Sequence, residues 1–347
     1  MSRVYLDHNA TTPLRPEARD AMIAAMDVVG NPSSVHAEGR AAKALVERAR
    51  EQVAAAFGAE GADVIFTSGA TEAAALACAG RGLHGAAVEH DAVKAWIEPD
   101  LPVDAQGRVT VKSPGQSVLQ KANSETGVIQ DLPEGLEVSD MTQAFGKLPV
   151  AFNWSGCRMA LSAAHKLGGP KGVGALIVKR GTDLEAQIRG GGQEMGRRSG
   201  TENVIGIAGF GAAAKAAVED IATGTWDRIA EFRKILENII AAGSNETIFV
   251  GKDSARLPNT SCFITPGWKG ETQVMAMDLA GFAISAGSAC SSGKVRSSVV
   301  LQAMGFSGAD AGCAVRVSLG PETTRNDVTR FAESWLKHLN RHRARAA

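Results

Sequence analysis

The feature that most constrains the fold of this chain is the alternation of short apolar runs with helical stretches over its first two thirds. Residues 64–67 and 174–178 are mostly apolar runs of strand length, whereas residues 40–57 and 69–79 carry apolar side chains at helical spacing. Strands that alternate with helices form a mostly parallel sheet with helices on both faces. We therefore predict an α/β fold for this part of the chain.

The pattern changes near residue 226, where a long predicted helix over residues 226–242 begins. The elements predicted beyond it are strands at 261–265 and 314–319 and helices at 273–279 and 327–339. This α+β pattern indicates a second, smaller unit. We predict a large domain at residues 13–225 and a small domain formed by residues 1–12 and 226–347.

Charge and cysteine content argue against several classes of protein. The 37 basic and 37 acidic side chains give a formal net charge of zero, so nothing points to nucleic acid or a membrane surface as a partner. We expect the basic tail at residues 341–345 to be a solvated helix end rather than a binding arm. Five cysteines without a C-x-x-C pair argue against a disulfide framework and a four-thiolate zinc site.

No feature of the sequence indicates export or membrane insertion. No apolar run approaches the roughly 20 residues that a membrane span needs. The N-terminal residues become polar too early for a secretory signal. We therefore expect a cytoplasmic protein.

One cysteine, Cys290, lies in a run of small and flexible residues at positions 285–294. Such a segment buries little apolar surface, so we expect it to form a mobile loop. A thiol on a mobile loop can reach a substrate and carry a group away from it. This interpretation requires an activating site elsewhere in the chain.

Lys166 is the candidate for that activating group. It lies among small and glycine residues at positions 164–174, directly before the apolar run at 174–178. A partly desolvated lysine amine can form a Schiff base with a carbonyl compound. The alternative is a surface lysine in a glycine-rich turn, and the position alone favours that alternative.

Two further segments have an ordinary explanation beside a functional one. Residues 68–72 join a strand to a helix, so their backbone N–H groups and the Thr71 hydroxyl could bind an anion; a capped helix start is the alternative. Asp140 follows a short apolar segment, where a carboxylate would face the ligand crevice of an open α/β sheet. A carboxylate that caps a loop is the alternative there.

His90, Arg316 and the run at residues 198–201 complete the candidates. His90 is a potential acid and base, although a single histidine is more often structural. Residues 198–201 offer an anion-binding run. Arg316 alternates with apolar residues in a predicted strand, where a buried guanidinium needs a partner, and a substrate carboxylate would be a suitable one.

In this order, the motifs resemble those of the cysteine desulfurases of the NifS/IscS type, in the class-V pyridoxal phosphate aminotransferase superfamily. The resemblance runs from residues 5–13 to the strand that carries Arg316, which is nearly the whole chain. It implies the type I fold of the pyridoxal-phosphate-dependent transferases, pyridoxal 5′-phosphate as cofactor, and a homodimer.

The resemblance also implies roles by position. Lys166 would form the covalent bond to the cofactor aldehyde, His90 would stack on the ring as acid and base, and Asp140 would pair with the pyridinium nitrogen. The other residues implied to bind the cofactor are Ala70, Thr71, Asn123, Ser124, Gln143, His165 and Thr201, the last reaching the neighbouring subunit's phosphate. Arg316 would bind the substrate carboxylate, with Asn259 as a second substrate contact.

The implied reaction removes sulfur from L-cysteine and leaves L-alanine. Cys290 would take the sulfur as a persulfide and pass it to an iron–sulfur scaffold or a sulfur carrier, for iron–sulfur clusters (those of nitrogenase among them) or thio-cofactors. No intrinsic metal site is expected, although Cys290 is a candidate ligand for an iron–sulfur cluster shared with a scaffold. The alternatives are a selenocysteine lyase and a degenerate, non-catalytic paralogue that acts as a sulfur carrier or assembly partner.

Three departures from the family pattern bear on the site. Ser124 replaces an asparagine that bonds the cofactor's phenolate oxygen, and losing one good hydrogen bond costs about 1 kcal/mol. Ala163 replaces a phosphate-binding serine, so either a local shift brings the adjacent Ser162 into use or the donor is lost. The segments from His90 to Ser124 and from Ser124 to Asp140 are short, so we predict reduced or missing crossover helices.

Overall fold

A computed structural model of the 347-residue chain describes residues 3–287 and 297–346. The helices within these two ranges are α1 (Pro16–Met26), α2 (Ala37–Ala56), α3 (Ala70–Cys78), α4 (Asp91–Lys94), α5 (Val204–Ala222), α6 (Thr225–Gly243), α7 (Gly270–Leu279), α8 (Val299–Ala303), α9 (Gly308–Ala311) and α10 (Arg325–Ala346). The strands are β1 (Val4–Tyr5), β2 (Asp63–Thr67), β3 (Leu83–Ala86), β4 (Ile97–Leu101), β5 (Val118–Gln120), β6 (Val138–Asp140), β7 (Met159–Ala163), β8 (Gly174–Val178), β9 (Ile248–Phe249), β10 (Thr260–Ile264), β11 (Phe282–Ala283), β12 (Ser285–Ala286) and β13 (Ala314–Ser318).

The central sheet has five strands in the order β2-β8-β7-β6-β5. Strands β5, β6 and β7 pair in parallel, whereas β8 pairs antiparallel with both β7 and β2. Four of the five strands therefore run in one direction, which confirms the predicted mostly parallel sheet. A parallel ribbon of β3 and β4 meets the β5 edge through a bridge between His84 and Ser117.

Helices cover both faces of this sheet, as predicted, because its strands are apolar on both sides. Val64 and Phe66 of β2 pack in a cluster with residues of α2 and α5, while Ile65 between them packs with residues of α3 on the other face. Strand β8 divides in the same way, with Ile177 on the first face and Leu176 on the second. Alternation of this kind is what a strand buried on both faces requires.

The crossover connections at the β5 edge are short, as the sequence predicted. Strand β3 is linked to its parallel neighbour β4 by α4, a helix of four residues. Residues 121–137 link the parallel strands β5 and β6, and this described segment contains no helix.

A second four-stranded sheet, β12-β13-β10-β9, belongs to the C-terminal part of the chain. Its apolar cluster includes Phe263 of β10, Val315 of β13 and Trp335 of α10, and also Val4 and Leu6 from the N-terminus. Strand β1 pairs in parallel with β11, which ties the N-terminus to this unit. The two largest apolar clusters thus lie on either side of the predicted boundary, whereas a small cluster of Ala122, Ala144 and Leu257 crosses it, and the division itself stays a prediction.

The last helix is longer than predicted at both ends. Thr324 and Asp327 cap its start reciprocally, because each side chain accepts a hydrogen bond from the backbone N–H of the other. Its basic end has protein contacts, since Arg343 bonds Glu246 and the His342 ring stacks on Trp268. No helix in the described ranges combines the length and the apolar character needed to cross a membrane.

Candidate active site

A cavity of about 580 Å³ lies at the carboxyl ends of β2, β6 and β7. Because these three strands run in the same direction, the residues that follow them meet at one edge of the sheet. The predicted site residues that line this cavity are Ala70, Thr71, His90, Ser124, Asp140, Gln143, His165, Lys166 and Arg316. The structure therefore brings together residues from positions 70 to 316.

One end of the cavity is suited to an anion. Residues 68–71 lead into the N-terminus of α3, where backbone N–H groups and the positive end of the helix dipole face the cavity. Strand β8 packs closely against this turn, since a Cβ on Gly174 would lie 2.6 Å from the carbonyl carbon of Gly69. Glu72 accepts a hydrogen bond from the Ser68 N–H and pairs with Arg198, which fixes the turn from outside.

His165 adjoins the lysine in the same wall. Its Nδ1 lies 3.1 Å from the Thr11 hydroxyl. Burial, together with the nearby Lys166 and Lys171 amines, lowers the pKa of His165 to about 4. The ring is therefore neutral at neutral pH and adds a hydrogen-bonding group rather than a charge.

Lys166 projects from a single 3-10 turn, Ala164–Lys166, that directly follows β7. Its Nζ donates hydrogen bonds of 2.8 Å to the backbone carbonyls of Asn9 and Ala10. These acceptors come from the N-terminal segment, so the amine is positioned by a part of the chain about 156 residues away.

Asp140 and Gln143 supply an acceptor and a donor to the same cavity. Asp140 ends β6 with 8% of its surface exposed, and its Oδ1 accepts a hydrogen bond of 2.8 Å from the Thr142 N–H. Gln143 Nε2 donates 2.9 Å to the Asn9 carbonyl, the same oxygen that accepts from Lys166.

Arg316 is held in place for an anion. It is 3% exposed, and its Nη2 pairs with Asp7 at 2.7 Å while its Nη1 donates to the Ser124 carbonyl. Its Nε is buried without a partner among the described residues, and so is Oγ1 of Thr142, another residue of the cavity lining. Two buried donors without partners in one cavity indicate a site built for a polar ligand.

Glu89, beside His90, is a buried carboxyl group with an altered pKa. It is 1% exposed and accepts a hydrogen bond of 3.0 Å from the Gln120 N–H. Burial raises the pKa of Glu89 to about 8, and the nearby Asp140 carboxylate adds to this effect. Asp140 therefore lies next to a carboxyl group that is mostly protonated at neutral pH.

Three predicted site residues lie off the cavity. Asn123 caps the turn after it, because its Oδ1 accepts from the N–H groups of Glu125 and Thr126. Asn259 is fully buried and donates to Asn9 Oδ1 and the Leu319 carbonyl. Thr201 is exposed, and the roles of all three toward a ligand stay predictions.

Two sequence-based expectations remain, one for Ser162 as a substitute donor and one for Cys290 as the mobile thiol. Ser162 points away from the cavity, since its neighbours Leu161 and Ala163 line it, and its hydroxyl has no partner among the described residues. This position favours the loss of the serine donor over its replacement by Ser162. Cys290 lies outside the described residues.

Sequence reasoning missed Asn9, Thr142 and Lys147. Asn9 lines the cavity and bonds both Gln143 and Lys166, and Lys147 lies behind it, 2% exposed. One signal could have pointed to Lys147, because it is the single charged residue between Asp140 and Arg158. A lone charge in a run that is otherwise uncharged is costly to bury without a purpose.

Comparison with known proteins adds an independent line of evidence. Residues 4–93 and 111–331 match the family model described as aminotransferase class-V. A cysteine desulfurase of Frankia sp. (strain EuIK1) is 39% identical over 95% of this chain and 90% of its own length. A cysteine desulfurase of Cereibacter sphaeroides is 38% identical over 96% of this chain and 95% of its own length. The X-ray structure of a NifS-like protein from Rickettsia africae ESF-5 superposes with a TM-score of 0.88 at 30% identity, covering 97% of this chain and 99% of that one.

Proposed function

The chain belongs to the class-V aminotransferase family, and from that premise we propose that it is a pyridoxal-phosphate-dependent cysteine desulfurase that converts L-cysteine to L-alanine. The observation that carries the proposal is the cavity in which Lys166, Asp140 and Arg316 converge with the N-terminus of α3. An amine, a carboxylate, a guanidinium and an anion site are the groups that an aldehyde cofactor with a phosphate and an amino-acid substrate require.

The donors around the cavity fit the cofactor. Ala70 and Thr71 would hold its phosphate at the start of α3, and Lys166 would bond its aldehyde. Asp140 would pair with the ring nitrogen, and the ring oxygen would accept from Gln143 or Ser124. When bound, pyridoxal phosphate supplies an electron sink that weakens bonds to the carbon atoms next to the substrate's amino nitrogen.

The substrate would bind through its carboxylate. Arg316 lines the cavity and is already oriented by Asp7 and the Ser124 carbonyl. A preoriented guanidinium binds a carboxylate at less entropic cost than a freely rotating side chain. Lys166 lines the same cavity, and its Nζ as a free amine would be the base that takes the proton from the substrate Cα.

His90 and Cys290 would handle the sulfur. His90 lines the same cavity at the start of α4, where it can take the proton of the substrate thiol. The Cys290 thiolate would form an S–S bond with the substrate sulfur as the carbon–sulfur bond breaks. The electron pair of the broken bond stays with the carbon, which takes up a proton and becomes the methyl group of alanine.

The finer assignments are part of the same proposal. The active form is a homodimer in which Thr201 reaches the neighbouring subunit's cofactor phosphate, which is consistent with the exposure of Thr201 in the single chain. The persulfide sulfur goes to an iron–sulfur scaffold or a sulfur carrier. The apolar clusters support a large domain at residues 13–225 and a small domain that includes the N-terminus.

The test uses the purified protein with pyridoxal phosphate. We expect a visible absorption band that changes when L-cysteine is added, with alanine formed in the same tube. Lys166→Ala should lose the band and alanine formation, whereas Cys290→Ser should keep the band and lose turnover. Lys121→Met and Cys313→Ala are the matched controls, because neither residue lines the cavity. A wild-type protein that binds the cofactor but forms no alanine, or that acts on selenocysteine alone, would refute the proposal.

A further inference from the structure

Lys147 is a buried lysine that lies behind the cavity wall rather than in it. Its Nζ donates 2.7 Å to Gln143 Oε1 and 3.0 Å to Asn9 Oδ1. Both of these acceptors belong to residues of the cavity lining. Lys147 therefore contacts the site through two amide side chains, and we call the set of Asn9, Gln143, Lys147, Asn259 and Thr260 the Asn9 network.

The orientation of the Asn9 amide follows from its partners. Asn9 Nδ2 reaches the backbone carbonyl of Ser124 at 3.1 Å and the Thr260 hydroxyl at 2.8 Å. Since a backbone carbonyl can only accept, the nitrogen must face Ser124, and Oδ1 must face Lys147 and Asn259.

Gln143 is oriented by the same reasoning. Its Nε2 faces the backbone carbonyl of Asn9, which can only accept, so its Oε1 faces Lys147. The Asn9 carbonyl also accepts from Lys166 Nζ at 2.8 Å. The side-chain nitrogen of Gln143 and the amine of Lys166 thus share one oxygen at the cavity surface.

Within the part of the chain that the structure describes, Lys147 forms no salt bridge with a carboxylate. Its two acceptors are neutral amide oxygens. Burial lowers the pKa of Lys147 well below its ordinary value, and the positive charges of Lys166 and Arg316 lower it further. Burying an amine among like charges costs stability, so a reason other than stability is needed for its position.

We propose that Lys147 is a positioning residue, which fixes the Gln143 amide with its nitrogen at the cavity surface and thereby sets the donor that the bound cofactor meets. This inference rests on the proposed function and extends it to a residue that touches neither cofactor nor substrate. Without Lys147, only the Asn9 carbonyl holds the Gln143 amide in this orientation, so a half turn that presents the oxygen instead becomes less costly. An acceptor would then face the oxygen that the cofactor carries on its ring.

The test compares Lys147→Met with wild type as holoenzyme. We expect the dissociation constant of pyridoxal phosphate to rise about tenfold, as the loss of one hydrogen bond to a charged oxygen predicts. We also expect the pH midpoint of the visible absorbance titration to shift. Lys121→Met is the matched control, since Lys121 Nζ also donates to a neutral carbonyl, that of Gln130, and neither Lys121 nor Gln130 lines the cavity.

A second background separates positioning from a general loss of stability. In a Gln143→Leu protein, Lys147→Met should change the dissociation constant less than about twofold, because the amide through which it acts is absent. An equal effect in both backgrounds, or no difference from Lys121→Met, would overturn the inference. If the wild type itself forms no visible band, the proposed function fails. If the wild type forms the band but Lys147→Met and Lys121→Met have the same dissociation constant for the cofactor, only the inference fails.

Two further measurements keep the test decisive if Lys147→Met does not fold. Lys147→Gln retains a donor in the buried site and should have a smaller effect on cofactor affinity than Lys147→Met. A crystal structure of the wild-type holoenzyme shows the orientation of the Gln143 amide, since the hydrogen-bond partners of the two atoms distinguish Nε2 from Oε1. Gln143 Nε2 toward the cofactor, with Oε1 on Lys147, supports the inference, and the reverse orientation overturns it.

Discussion

Two sets of buried polar residues around the cavity differ in whether their polar atoms have hydrogen-bond partners. In the Asn9 network, the side-chain amides of Asn9, Gln143 and Asn259 are joined by hydrogen bonds of 2.7 to 3.1 Å. By contrast, Glu89 and Ser162, which we call the backing residues, each bury an oxygen that has no partner among the described residues.

The difference follows from the position of each residue in its strand or turn. Ser162 lies in β7 between two residues of the cavity lining, so its side chain points to the other face of the sheet. Glu89 directly precedes His90 and is buried. The network residues bond to one another, and two of them, Asn9 and Gln143, line the cavity. The backing residues bury polar atoms without partners, which lowers the stability of the folded protein.

Glu89→Gln should produce the largest change in stability, and the change should depend on pH. The pKa of a glutamate is 4.5 in the unfolded chain, and burial raises that of Glu89 to about 8. Between these values the folded protein holds a proton that the unfolded chain has lost, so stability falls as pH rises. A glutamine side chain at this position has no proton to lose, so the variant should gain about 3 kcal/mol relative to wild type between pH 5 and pH 7.5.

Urea unfolding of wild type and variant at pH 5, 6.5 and 7.5 measures this difference. Glu98→Gln is the control, because it is the same substitution at a glutamate that is exposed on β4. A constant difference between Glu89→Gln and wild type at all three values would mean that Glu89 is ionised in the folded protein. Glu89 would then not differ from the Asn9 network in the way that its buried, partnerless oxygen predicts.

Asn9→Ala should have the second largest effect, through the network side. The change removes the acceptor of Lys147 and Asn259 and the donor to the Ser124 carbonyl, all in a site where Asn9 is 1% exposed. We expect a loss of about 2 kcal/mol in the free energy of unfolding at neutral pH, since buried partners are left unsatisfied.

Asn153→Ala is the matched control for that variant, because Asn153 makes one exposed bond to the Glu60 carbonyl. Its cost in urea unfolding should stay within about 0.5 kcal/mol. The double variant with Lys147→Met should cost less than the sum of the single variants, because both break the same hydrogen bond. Additive costs would show that the two residues act independently.

The sequence predicted the frame of the site better than its support. Strand β8 coincides with the predicted run because Gly174–Val178 is uninterrupted and apolar. Asp140 was placed by the rule that ligands bind at the carboxyl ends of strands, whereas Lys166 was singled out as a lysine among small and glycine residues. Strands β5 and β6, at three residues each, are too short to show a periodicity.

The residues that support the site could not be predicted from the sequence, because their partners lie far away along the chain. Lys147 and Asn9 are 138 residues apart, and Asn9 and Asn259 are 250 apart. The lone charge of Lys147 is a local signal, but nothing local in the sequence marks its partner or links Asn9 to Asn259, because only the fold brings these side chains together. Family resemblance supplied the residues that are expected to touch the ligand, whereas the residues that orient them required the structure.

The smallest predicted effect compares two buried serines on neighbouring parallel strands. Ser139 of β6 and Ser162 of β7 are both fully buried, but Ser139 donates 2.9 Å to the Leu119 carbonyl, whereas Ser162 has no partner among the described residues. Ser139→Ala should therefore lower the free energy of unfolding by about 1 kcal/mol, and Ser162→Ala should leave it unchanged or raise it by a few tenths. Urea unfolding of both variants at one pH measures the difference directly, since the residue types, the burial and the substitution are the same. If Ser162→Ala costs as much as Ser139→Ala, its hydroxyl has a partner such as a buried water, and the backing would then be satisfied in the same way as the Asn9 network.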